Sequence, residues 1–145
     1  MRAIIQRVSK ASVSTEGRLV GSIGKGIVIL LGIAKGDTEK NVDVLSEKCS
    51  TLRIFEDENG KLNLSLKDIQ GEALVISQFT LYADTKKGRR PSFTEAASYT
   101  EAKPLYERFI TALKKESIRT KSGEFGSKML VDINNDGPVT LILEV

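Results

Sequence analysis

The stretch Gly26–Ala34, GIVILLGIA, decides the fold. It is a continuous apolar run, and such a run predicts a central strand buried on both faces. At nine residues it falls well short of the roughly 20 that a membrane span needs, and it lies too far inside the chain to serve as a signal sequence. A second run, Glu72–Tyr82 (EALVISQFTLY), predicts another buried strand, interrupted by polar Ser77, Gln78 and Thr80. Arg2–Val8 alternates, with Ile4 and Val8 on one face and Ala3, Ile5 and Arg7 on the other. Ala11–Thr15 and Arg18–Ile23 form a hairpin pattern around Glu16-Gly17.

Two helical stripes lie between the strands. Asp37 is the expected N-cap of the first, and Val42, Leu45, Cys49 and Leu52 follow at spacings of 3, 4 and 3. Cys49 is thereby read as a small core residue. Arg53–Glu56 returns as strand, and Asn59-Gly60 marks a turn. The second helix spans about Thr100–Lys115 on Leu105, Phe109 and Leu113, with Pro104 expected in its first turn. Strands around Met129–Ile133 and Val139–Leu143 close the chain. These elements predict one α+β domain over residues 1–145, with a mostly antiparallel, barrel-like sheet and two main helices.

Composition narrows the chemistry. The 145 residues include no histidine, one cysteine, and a formal net charge of +3. No Ser-His-Asp or Cys-His arrangement is available, and no imidazole or cysteine-rich metal site. A lone cysteine and no export signal point to the cytoplasm, and no membrane association is expected.

Three segments stand apart from scaffold. Ser77-Gln78-Phe79-Thr80 places polar groups in an apolar strand. They are either satisfied by backbone where the strand leaves the core, or they wall a pocket. Asp136-Gly137-Pro138 is first of all a hairpin turn, although proline fits poorly at the start of a paired strand. Lys86, Lys87, Arg89 and Arg90 crowd one loop. That loop is either a solvated charge run or a contact for phosphate. A fourth segment, Ser122-Gly123-Glu124-Phe125-Gly126, sets an aromatic between glycines, as a tight loop or a platform for a base.

Together MRAIIQRVSKASV, LRIFEDENGKLNLS, SQFTLYADTKKGRRPSF, GEFGSKM and NDGPVT, read from Met1 to the C-terminus, resemble the D-aminoacyl-tRNA deacylases of bacteria and eukaryotes. Lys25 and Asn134 depart from the family's usual residues outside its motifs. The resemblance implies an esterase that removes D-amino acids, and glycine, from mischarged tRNA. It implies a homodimer in which Ser77, Gln78, Phe79 and Thr80 wall a catalytic pocket. The partner's Gly137-Pro138 enters that pocket with a cis peptide and excludes L-substrates. Arg7 is expected to hold that segment, and Phe125 and Met129 to lie by the terminal adenosine. No metal or organic cofactor is implied. With no histidine to activate Ser77 or Thr80, the reading prefers a substrate that uses its own ribose hydroxyl, with main-chain N–H groups stabilising the oxyanion. A non-catalytic RNA-binding module is the competing reading, and a general small-molecule esterase a third.

Overall fold

The structure, a computed structural model, describes residues 1–145. A six-stranded sheet curls into a nearly closed barrel and carries two helices on its outer side. Its axis is β1 (Arg2–Thr15), a single strand where the alternation suggests two. The first half of β1 pairs antiparallel with β3 (Gly26–Gly32), and its second half with β2 (Arg18–Ile23). The apolar run is therefore the central strand expected. On its far side β3 pairs in parallel with β6 (Glu72–Ser77), and β6 with β7 (Arg119–Ser122). A small β4–β5 ribbon (Phe55–Glu56 and Leu62–Leu64) lies apart.

Both faces of the central strands are buried in two cores. Ala3, Ile5, Ile27, Ile29, Leu31, Ala73 and Val75 face α1 (Glu39–Thr51) and α2 (Tyr99–Lys115). Val8, Val28, Leu74 and Ile76 face the barrel interior with Val13 and Ile23. Burying each of the valine, leucine and isoleucine side chains stabilises the fold by about 1.5–3 kcal/mol. The close approach of β3 to β6 explains Gly26: a Cβ there would lie 1.9 Å from the Glu72 carbonyl oxygen. Cys49 is buried in the helical core, and desolvation pushes its thiol up to about 12.

Several local expectations are corrected. The N-cap of α1 is Thr38, not Asp37, and Thr38 forms a capping box with Asn41. Asp37 instead accepts from the Ala34 amide at 2.7 Å, closing the turn before the helix. Leu52 is the C-cap rather than the last residue of the stripe. Pro104 sits at the sixth helical position because the Ser98–Glu101 capping box starts α2 at Tyr99. The strand after α1 shrinks to Phe55–Glu56. The second apolar run stays extended only to Ser77 and then tightens into a 3-10 helix, Phe79–Tyr82.

The largest correction is at the C-terminus. Asp136-Gly137 is not a hairpin turn. β8 (Leu130–Glu144) runs through it as one strand, antiparallel to β1 along nearly its whole length. Val8 pairs with Asn135 and Gln6 with Thr140, so residues 136–139 bulge out opposite Arg7. No helix is long and apolar enough to cross a membrane.

Candidate active site

A cavity of about 490 Å³ opens at the carboxyl ends of the parallel strands β3 and β6. Ligands of sheets with parallel strands commonly bind at such ends. Leu31, Ile33, Ile76 and Ser77 come from the strand ends, and Gln78 and Phe79 from the segment that follows β6. Tyr99 and Ala102 of α2, and Phe125, Gly126, Ser127 and Met129 from the loop before β8, complete most of the wall.

The segment after β6 has a simple cause. The Gln78 amide donates to the Leu31 carbonyl at 2.8 Å, the last rung against β3. With no further partner, the chain turns. Leu81 N–H donates to the Gln78 carbonyl at 3.3 Å, and Ala83 N–H to the Thr80 carbonyl at 3.1 Å. The N–H groups of Phe79 and Thr80 precede the first of these bonds and stay outside the helix's own ladder. Both belong to the segment that follows β6 at the edge of the cavity.

Of the fourteen lining residues, none carries a carboxylate, amine, guanidinium, imidazole or thiol. The cavity can bind and orient, and its edge can offer amide donors, but it contributes no side-chain base. Thr80 lies outside the lining, exposed, and its hydroxyl accepts from the Gln78 side-chain amide. No charged group is bonded to it.

Aromatic contacts fix the cavity wall. Phe125 packs between Tyr99 and Tyr106, with ring centroids 5.1 and 5.2 Å away. Tyr106 is buried and donates its hydroxyl to the Val75 carbonyl at 2.8 Å, which Gly123 N–H also reaches. Burial raises the Tyr106 phenol well above its usual range. Phe79 is exposed and meets Phe93 edge-on at 5.0 Å.

Phe93 joins the basic loop to this edge. Asp84 and Ser92 exchange backbone hydrogen bonds of 2.7 and 2.9 Å, closing the loop at its base. Lys86, Lys87, Arg89 and Arg90 are all exposed on it. None forms an ion pair within the chain, although eight pairs occur elsewhere.

Gly137 and Pro138 do not line the cavity. They are exposed at the crest of the bulge, joined by a cis peptide bond. Arg7 is buried below them. Its Nε donates to the Asp136 carbonyl at 3.1 Å, and its Nη1 to the Ile54 carbonyl at 2.8 Å. Arg7 pairs with Ile27, four residues along β3 from Leu31. That is a separation of about 13 Å at about 3.3 Å per residue. The structure thus brings Ser77, Gln78, Phe79, Phe125 and Met129 together. It groups Arg7, Gly137 and Pro138 separately, at the other end of the same strand. Tyr99 is a wall residue that sequence reasoning missed. Its one visible signal was the capping box Ser98–Glu101, which starts the helix at Tyr99.

Residues 4–144 match the family model described as D-Tyr-tRNA(Tyr) deacylase. A D-aminoacyl-tRNA deacylase of Clostridium botulinum (strain Alaska E43 / Type E3) is 56% identical over 144 residues, 99% of this chain and 97% of the relative. One from Thermosipho africanus (strain TCF52B) is 54% identical with the same coverage. A solved structure of a c-Myc DNA Unwinding Element Binding Protein superposes with a TM-score of 0.94 at 44% identity, covering 100% of this chain and 99% of the other.

Proposed function

The chain belongs to the D-Tyr-tRNA(Tyr) deacylase family and is a hydrolase, and from that premise we propose how it cleaves D-aminoacyl-tRNA and rejects L-aminoacyl-tRNA. The observation that carries the mechanism is a cavity of orienting groups with no side-chain base. An aminoacyl ester is already activated, so positioning and oxyanion stabilisation supply most of what is needed. The terminal adenosine packs against Phe125 and Met129. The ester carbonyl faces the N–H groups of Phe79 and Thr80, each worth about 3–4 kcal/mol when well placed. The ribose hydroxyl next to the ester activates the attacking water. Ser77 and Gln78 orient the substrate as wall residues.

Selection against L-substrates requires a second copy of the chain. Gly137-Pro138 stands exposed and away from its own pocket, which supports a role in the pocket of a partner. A surface for that partner lies beside it. Ile4, Leu30 and Ile142 form one cross-strand row, and Ile142 is 66% exposed. Burying this row in a two-fold dimer fits an isologous interface. A main-chain obstacle has no rotamers to move aside, so it excludes the L side chain. It accepts any D side chain, and glycine as well. Purified protein is therefore expected at twice its chain mass.

Two outcomes test the chemistry. Thr80→Ala is expected to keep D-tyrosyl-tRNA hydrolysis within about tenfold, whereas removing a true nucleophile costs on the order of 10⁶-fold. A drop of that size with tRNA binding intact would restore Thr80 as nucleophile. The four unpaired cations of the 84–92 loop are placed against phosphates of the acceptor end. Neutralising all four is expected to flatten the dependence of log K on log salt by about 0.7 for each single-strand phosphate that the loop no longer neutralises. An unchanged slope removes the loop from the interface. The reading as a whole is tested by comparing D-tyrosyl-tRNA with a simple D-tyrosine ester. Hydrolysis of the tRNA ester alone supports it. Equal turnover of both indicates a general esterase, and tRNA binding without release indicates a binding module.

A further inference from the structure

The bulge that carries Gly137-Pro138 interrupts the regular register of β8 on β1. Four residues, 136–139, stand against one residue of β1, Arg7. The Arg7 carbonyl faces the neck of this loop, and the Asn135 side chain reaches it. Its Nδ2 donates to the Arg7 carbonyl at 2.9 Å. The same nitrogen donates to the Val139 carbonyl at 3.0 Å, across the neck of the bulge. One amide group thus ties β1 to the neck of the loop and the two ends of the loop together. Its orientation is set in turn: Thr140 Oγ1 donates to Asn135 Oδ1 at 3.2 Å, and Gln6 Nε2 donates to Thr140 Oγ1 at 3.3 Å.

Arg7 and Asn135 divide the work. Arg7 props the N-terminal limb of the loop from beneath, at the Asp136 carbonyl. Its guanidinium makes no hydrogen bond to the C-terminal limb at Val139. The Asn135 amide is the side-chain tie on that limb, and losing it loosens the limb and Pro138 with it. An obstacle that must separate two enantiomers of equal volume loses its discrimination once it can swing.

We propose that Asn135 is a positioning residue for chiral discrimination: it ties the neck of the bulge and fixes Gly137-Pro138 at the height at which it obstructs an L side chain. This rests on the reading of Gly137-Pro138 as the filter. Asparagine is suited to the task because the two carbonyls need donors, while Thr140 needs an acceptor. Aspartate has the same shape and no donor.

The test compares kcat/KM for D- and L-tyrosyl-tRNA in the wild type, Asn135→Asp, Thr140→Val and Thr140→Ser. The D-over-L ratio is expected to fall at least about tenfold in Asn135→Asp, because backbone carbonyls now face a carboxylate. Thr140→Val is expected to lower the ratio by a smaller factor, and Thr140→Ser, which keeps the hydroxyl, to restore it. A folded Asn135→Asp with the wild-type ratio overturns the proposal, as does an equal loss on both substrates. Should Asn135→Asp fail to fold, the exposed Thr140 pair decides: equal ratios in Thr140→Val and Thr140→Ser overturn it. A wild type with no preference for the D-substrate overturns the filter itself. A D-specific wild type with an unmoved Asn135→Asp overturns only the role of Asn135.

Discussion

D-tyrosyl-tRNA whose terminal ribose carries hydrogen in place of the 2′-hydroxyl is expected to be hydrolysed about 10²–10⁴-fold more slowly, the range of a positioned general base. The reason is the composition of the cavity. Its lining contains no carboxylate, amine, guanidinium, imidazole or thiol. The hydroxyl of Thr80 is bonded only to the neutral Gln78 amide and lies outside the lining. The proton of the attacking water must still reach the departing ribose oxygen. The neighbouring ribose hydroxyl, which the substrate brings, can relay it, accepting the water proton as it passes its own to that oxygen. The enzyme's share is then orientation and donation of N–H groups to the carbonyl oxygen. Removing the hydroxyl should appear in kcat with KM nearly unchanged, since it leaves the packing against Phe125 and Met129 intact. Turnover within a few fold of normal would mean that the ribose hydroxyl takes no part in the proton transfer.

Gly137→Ala is expected to lower the D-over-L ratio of kcat/KM for tyrosyl-tRNA by about 10²-fold, the effect of misplacing a group by about 1 Å. Gly137 has φ +120°, which disfavours a side chain. A Cβ there would lie 2.9 Å from Arg7 Nη2 and 3.0 Å from Val139 Cγ2. Arg7 cannot retreat, because it is buried and its Nη1 is bonded to the Ile54 carbonyl. The loop must move instead. The fold should tolerate this, at a cost of about 1 kcal/mol or somewhat more. That corresponds to a melting shift of roughly 2–4 °C per kcal/mol for a chain of this size. A large drop in selectivity with a small drop in stability separates this site from the core. An unchanged D-over-L ratio in Gly137→Ala would mean that the bulge does not act as the filter in a partner's pocket.

The elements that were legible in the sequence share a cause: their period reports their own surroundings. GIVILLGIA is apolar at every position because β3 has neighbours on both faces. The stripes of α1 and α2 are apolar at helical spacing because each helix covers one face of the sheet. The polar interruption at Ser77–Thr80 was legible as an interruption for the same reason. Its conversion into a 3-10 helix was not, because that depends on where β3 ends and stops offering partners. The C-terminal strand shows the limit most clearly. Asp-Gly between two alternating stretches is a sound hairpin signal. It fails here because both stretches pair with a single 14-residue strand, a long-range fact that no local window contains. Asp37 and Thr38 are both good caps, and only the path of the preceding turn decides between them. Arg7 was assigned through resemblance alone. Its burial under the bulge, like the tie made by Asn135, depends on the same strand pairing. Nothing in the local sequence marks either.

A base-free cavity completed by a main-chain filter should cleave D- but not L-aminoacyl esters of tRNA. The most direct test is hydrolysis of D-tyrosyl-tRNA and L-tyrosyl-tRNA under identical conditions with the same tRNA. The account predicts rapid release of D-tyrosine, with L-tyrosine released no faster than in the absence of protein. Comparable release of both enantiomers would contradict it.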